Sequence, residues 1–265
     1  MRAQNCTVWQ GVVGNLPLHS VYKLKTLIIM KKLKTLLMAV ICLPFLMGAQ
    51  ESYRMVELSY MKVKPGMNAK FEAAIKAHNE KYHKEGKYGS ALYSIVTGNE
   101  AGWYVWTMGG LTFTDLDGRP AAGAHDDDWS KTIEPFIAEY GRVEYWRMND
   151  KLSFREENDD KMLSIWWMDI TRGEYYRFKE FMLKVRAIHE KQSAGISVYD
   201  NEFSQNDGRD VAIVWSMPNW ADMDKEDWKM QVEFDAMYGE GSWQLALEEW
   251  KDVMEAMTQE IWKEL

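Results

Sequence analysis

Beyond residue 50 the chain holds four histidines, His78, His83, His125 and His189, and no cysteine, so thiolate chemistry is excluded there and imidazole and carboxylate must carry any acid–base or metal-ligating role. The run His125-Asp126-Asp127-Asp128 offers oxygen donors of the kind that gather a divalent cation. It also stands just ahead of a helical stretch, where aspartates cap free N–H groups and suit the positive end of the dipole, and capping is the reading adopted. His78 and His189 fall on corresponding helices without aligning with each other, and no two histidines have a ligand spacing. The expectation is therefore solvated or locally bonded helix histidines, with no metal and no cofactor. Neither 115–118 nor 206–208 has the spacing of a calcium loop, and no phosphate loop, serine elbow or zinc helix motif is present.

The elements that must position such groups come in two copies. Val56-Glu-Leu-Ser-Tyr-Met-Lys-Val63 is answered 107 residues later by Leu163-Ser-Ile-Trp-Trp-Met-Asp-Ile170, and Lys70-Phe71 by Arg177-Phe178. Tyr104-Val-Trp-Thr-Met108 returns as Ile213-Val-Trp-Ser-Met217 at an offset of 109, and Glu144-Tyr-Trp-Arg147 as Glu260-Ile-Trp-Lys263 at 116. The drift is what loop insertions produce. In the first copy the hydrophobic period predicts a strand over 53–63, a helix after Gly66, strands over 91–96 and 103–108, a helix over 128–140 and a strand over 143–148. The second copy predicts strand 162–170, helix 174–192, strands 196–203 and 210–217, helical segments within 221–257 and a short strand over 259–263. Each order is β-α-β-β-α-β, the split βαβ, ferredoxin-like unit, whose four-stranded sheet has helices on one face and leaves the other needing cover. The fold class is α+β, with repeats at 50–150 and 161–265 joined by a polar connector at 151–160. The Met- and Trp-rich stretch 222–250 exceeds its counterpart and reads as a surface helix with a buried stripe.

In pattern and repeat, residues 53–265 resemble the dimeric α/β-barrel superfamily, in which two ferredoxin-like units pack sheet against sheet. The resemblance implies an intramolecular barrel. Its members include cofactor-free antibiotic-biosynthesis monooxygenases, haem-binding chlorite dismutase-like proteins and proteins with no known chemistry, so it transmits architecture better than activity.

In such a barrel a ligand is expected between the sheets, where alternate strand residues point inward. One set on the first strands is Glu57, Ser59, Met61, Val63 with Ser164, Trp166, Met168, Ile170; the other is Val56, Leu58, Tyr60 with Leu163, Ile165, Trp167. The first set, which bears polar groups, is assigned to the cavity. Ser59, Trp106, Ser164, Trp166 and Trp215 are thus the candidate ligand-binding residues, with core packing the competing role for Trp106 and Trp215.

Residues 1–49 contain six basic residues and no acid. From Met30 the order is a basic stretch, an apolar run over 36–47 and Gly48-Ala49-Gln50, the pattern of a secretory leader. Residues 1–29 read as an upstream extension and 30–49 as the signal peptide. The apolar run is too short for a spanning helix and is interrupted by Pro44; lipid attachment at Cys42 is disfavoured by Ile41 before it. Without the leader, 26 of the 32 Lys and Arg remain against all 40 Asp and Glu, a formal charge of −14. That balance argues against nucleic acid and anionic membrane surfaces as partners. A homo-oligomer is compatible with the sequence.

The expected function is an exported protein binding a small apolar or aromatic molecule. The alternative is a cofactor-independent monooxygenase- or isomerase-like enzyme in which Glu57, Tyr60 or His78 moves a proton. Haem binding through a histidine is the third reading.

Overall fold

The computed structural model describes residues 53–84, 86–119, 123–155, 160–205, 207–225 and 229–265. The upstream extension, the signal peptide, both cysteines, residues 50–52, the connector residues 156–159, Asn206 and Trp228 lie outside the described residues.

The first half runs β1 (Met55–Val63), α1 (Asn68–Tyr82), β2 (Ser90–Ile95), β3 (Tyr104–Leu111), α2 (Phe113–Asp117), α3 (Ala124–Thr132) and β4 (Ile137–Met148). The second runs β5 (Met162–Ile170), α4 (Tyr175–Lys191), β6 (Ser197–Asn201), β7 (Val211–Met217), α5 (Met230–Tyr238), α6 (Ser242–Val253) and β8 (Met254–Glu264). The expected helix over 128–140 is cut short. Pro135 offers no backbone N–H and restrains the residue before it, so the helix ends at Thr132 and the chain passes through a single 3₁₀ turn into β4. The freed residues are used at once: Ile137 pairs with Val63 and Glu139 with Lys62. The stretch after β7 forms α5 and α6, which pack on α4 through Phe181, Phe234, Trp243 and Trp250, a surface layer with a buried stripe.

Each half is an antiparallel sheet ordered last, first, third, second strand, and the two join edge to edge into one closed barrel, β1-β3-β2-β8-β5-β7-β6-β4. Both seams are short. At one, Tyr93, Ser94 and Ile95 face Glu264, Lys263 and Trp262; at the other, Trp146, Arg147 and Met148 face Asn201, Asp200 and Tyr199. Closure leaves none of the eight described strands as a free sheet edge. The connector does not stand free at its start: Leu152 is buried, Ser153 Oγ accepts from the Val198 N–H, and Phe154 bridges to Ile196.

The strand faces are the reverse of the sequence assignment. Leu58, Tyr60, Ile165 and Trp167 point into the barrel and pack there with Trp146, Val105 and Trp262. Met61, Val63 and Trp106 lie outside, beneath α1, while Met168, Ile170, Trp166 and Trp215 lie outside beneath α4 and α6. A narrow lumen takes the set with the larger apolar area, and the polar members of the other set find partners under the helices: Glu57 on Arg119, and Ser164 Oγ accepting from Gln259.

One end of the lumen is filled by a charged clamp. Arg209 Nε and Nη2 each donate to the Glu144 carboxylate at 2.8 Å, and Nη2 also donates to the Tyr60 hydroxyl at 2.6 Å. The guanidinium lies 3.5 Å from the Trp167 ring centroid. Glu144 takes the Trp146 indole N–H, and Glu260 takes those of Trp167 and Trp262. Burial holds the Tyr60 hydroxyl protonated, well above its usual pKa. Removing the cation would leave Glu144, buried among indoles, with only the more distant Arg142 at 3.5 Å. Arg209→Met should therefore cost about 3–5 kcal/mol in urea unfolding, and adding Glu144→Gln should recover part of that loss; a cost under ~1 kcal/mol would show the clamp to be incidental.

Candidate functional site

On the outer face of the first half, α1 and α3 roof a cavity of about 390 Å³ whose floor is Glu57, Ser59 and Trp106, with Arg119, Trp129 and three histidines around it. The buried stripe of α1 is Phe71, Ile75 and His78, so helical periodicity itself carries His78 inward. His83 follows at the helix end, and His125 stands in the first turn of α3. The ring centroids of His78, His83 and His125 are 4.9 to 5.3 Å apart.

Each imidazole is anchored through Nδ1. His78 Nδ1 meets Asp128 Oδ2 at 2.8 Å, His83 Nδ1 meets the Tyr88 carbonyl at 2.9 Å, and His125 Nδ1 meets Asp126 Oδ1 at 2.9 Å. A carbonyl only accepts, so His83 carries its proton on Nδ1 and turns the Nε2 lone pair toward its neighbours. His83 Nε2 lies 3.0 Å from His125 Nε2. His78 Nε2 is buried and has no hydrogen-bond partner. The walls are fixed too: Trp106 donates to Asn79 Oδ1 at 3.0 Å and meets His83 edge-on, and Trp129 stands edge-on to His78.

Burial lowers the pKa of both His78 and His83, against the opposing bonds to Asp128 and the Tyr88 carbonyl, and each is lowered further by the neighbouring imidazoles. Asp128 is held below the usual carboxylate range by its bond to His78. Glu57, buried among sheet residues, keeps its charge company with Arg119 Nη1 at 2.7 Å.

The sequence candidates divide on this geometry. Glu57, Ser59, His78 and Trp106 meet in this cavity, between sheet and helices instead of between the sheets. Tyr60 borders it, but its hydroxyl belongs to the lumen clamp. Ser164, Trp166 and Trp215 lie on the second half; the two indoles pack on each other in an apolar cluster with Trp250. His83, His125, Arg119 and Asp128 were not expected to meet. The capping role assigned to 125–128 is corrected in part: the N-cap of α3 is Gly123, with no side-chain cap, Asp126 and Asp127 stand in the first turn where they suit the dipole, and Asp128 serves His78.

Among the described residues the second half has no such cluster. At the repeat offset of 107, Phe71, Ile75 and His78 become Phe178, Met182 and Val185. His189 reproduces the anchoring bond of His83, donating Nδ1–H to a carbonyl five residues on.

No protein-family model matches the sequence, and no curated protein is similar to it. Solved structures are similar in shape. A candidate monooxygenase of Lactobacillus acidophilus superposes with a TM-score of 0.52 at 8% identity, over 80% of this chain and 94% of that one. A candidate monooxygenase of Fusobacterium nucleatum gives 0.50 at 12%, over 82% and 94%. Chlorite dismutase of Candidatus Nitrospira defluvii gives 0.48 at 8%, over 81% and 92%. The chain has the dimeric α/β-barrel fold. Its neighbours in that fold include candidate monooxygenases, and at these identities the likeness is one of architecture.

Within this barrel a second cavity, of about 360 Å³, occupies the lumen at the end away from the clamp. Val56, Leu58, Tyr93, Leu163, Tyr199 and Val214 line it, with Arg54 and Arg155 beside it. No helix among the described residues is long and apolar enough to cross a membrane.

Burial takes the His189 pKa from its usual 6.5 to about 4. Between those values the unfolded chain binds a proton that the native chain refuses, so stability is lost as pH falls from 6.5 to 4 and no further below. The loss from this residue should reach roughly 3 kcal/mol, with His78 and His83 acting in the same direction. Urea unfolding at pH 7 and pH 4.5 measures it; His189→Leu should flatten the slope, and an unchanged slope would show that this imidazole is not the source.

Proposed function

We propose that this chain is an exported enzyme acting on a small organic molecule held in the first-half cavity, its oxygen-bearing end against the histidines and its ring or apolar body against Trp106 and Trp129. The observation that carries this reading is the asymmetry of the repeat: a buried imidazole, His78, stands at a helix position that the second half fills with Val185. Burying a polar side chain where valine suffices costs stability, and an unpaired ring nitrogen adds about 1–3 kcal/mol, so the arrangement is explained by a task.

The chemistry available is polarisation of a substrate oxygen. His83 Nε2 and His125 Nε2 face each other at 3.0 Å, and because His83 presents a lone pair the contact calls for a proton or a cation between them. Either is an electrophile at the edge of the cavity, suited to enolisation, isomerisation or activation of an aromatic alcohol. The His83 and His125 rings stand 5.3 and 4.9 Å from that of His78, which leaves no room for a porphyrin between them.

The lumen cavity supports a second reading, a carrier of an apolar molecule with an anionic end near Arg54 and Arg155. The leader-like pattern over 30–49 is what supports an exported location for either activity, and amino-terminal sequencing of exported protein starting near Gln50 tests it.

Tryptophan-fluorescence titration with a panel of phenols and aromatic ketones separates the two sites. Trp106→Phe should weaken binding about tenfold, while Val214→Phe, which fills the lumen, should leave it unchanged. The opposite pattern assigns the ligand to the lumen and overturns the cavity reading.

A further inference from the structure

We propose that His78, His83 and His125 bind one divalent transition-metal ion through their Nε2 atoms. One ring nitrogen from each lies within 4.8 Å of the others, a separation that small side-chain movements convert into a shared coordination sphere. The anchoring of the three rings gives the site its logic. Each Nδ1 is taken by an oxygen, from Asp128, the Tyr88 carbonyl and Asp126 respectively, and this is the outer-shell pattern that fixes tautomer and ring plane in histidine-bound metals. What remains on every ring is Nε2.

The choice between a proton and a metal follows from counting lone pairs. A single proton between His83 and His125 satisfies those two nitrogens and leaves His78 Nε2 buried and orphaned. An ion of charge +2 satisfies all three. Three neutral imidazoles leave coordination positions free on the cavity side, the arrangement of metal sites that hold water or substrate. Nitrogen-only ligation favours zinc, copper, iron or nickel over magnesium or calcium. The second half again serves as the internal comparison: Val185 stands in place of His78, and the chain packs there without the cluster.

The inference shares its cavity with the ligand reading above and deepens it by naming the electrophile, yet metal uptake is measured without any organic ligand. Full-length protein stripped with a chelator is titrated with Co²⁺, read by visible ligand-field absorption, and with Zn²⁺, read by calorimetry and thermal unfolding. The expected result is one ion per chain in the wild type, a rise in Tm with Zn²⁺, and at least a hundredfold weaker binding in His78→Val and His125→Ala. His78→Val copies the residue of the second half, so it should fold, with a Tm at or above that of the metal-free wild type. Wild-type protein that takes up neither ion at micromolar concentration, or variants that bind as well as wild type, would overturn the metal site. Phenol binding that persists in stripped protein with no ion uptake overturns this inference alone; ion uptake without any phenol binding supports it and overturns only the ligand reading.

Discussion

A closed barrel must satisfy every polar group it encloses, and here that requirement falls on Arg209. The seams joining the halves are three residue pairs each, so backbone pairing alone ties them weakly. Arg209, from the turn between β6 and β7, reaches across the lumen to Glu144 and Tyr60 of the first half and lies on Trp167 of its own. It is the cation that allows two glutamates at equivalent places in the repeat, Glu144 and Glu260, to sit among indoles. At the offset of 109 its counterpart is Glu100, which pairs with Arg142 and whose pKa is raised by burial. The clamp is thus the point at which an otherwise repeated structure becomes asymmetric in charge.

The halves then diverge on their outer faces. Both lay an amphipathic first helix over the sheet, and both end it with a histidine bound to a backbone carbonyl. In the second half that layer closes into apolar core, with α5 and α6 adding Phe234, Trp243 and Trp250. In the first half α3 is short, ends at Thr132 ahead of Pro135, and brings His125, Asp128 and Trp129 over the cavity. Duplication supplies one copy to hold the fold and another free to keep a cavity.

Much of this was legible in the sequence. The offsets of 107, 109 and 116 define two units, and the hydrophobic period finds β5, α4 and β7 within a residue or two. What alternation could not supply was which side is inside. In an open sheet polarity marks the solvated face, but in a barrel wrapped by helices both faces are covered, and Glu57 and Ser164 are buried on the outer one. The histidine cluster was hidden for another reason. His83 and His125 are 42 residues apart on separate helices, and only the packing of α1 against α3 brings them together. One signal was present: Phe71, Ile75 and His78 align with Phe178, Met182 and Val185, so a histidine occupies what its own repeat marks as a core position.

Lumen and cavity lie on opposite faces of one strand, β1, which serves both. β1 sends Tyr60 inward to Arg209 while its neighbours Glu57, Ser59 and Met61 face the cavity. Opposite Tyr60, β4 carries Gly141, where a Cβ would come within 2.7 Å of the Trp103 ring and 3.0 Å of Tyr60 Cβ; the ladder shifts register at this point. A single-residue slip of β1 would exchange its two faces, withdrawing the tyrosine from the clamp and driving the glutamate into an apolar lumen. The buried ion pair therefore fixes the register that positions the cavity floor, whereas the imidazoles hang from α1 and α3 and are fixed by Asp128 and the Tyr88 carbonyl. Floor and roof are set by separate interactions, so substitutions in the roof can change what the cavity binds without loosening the barrel beneath it.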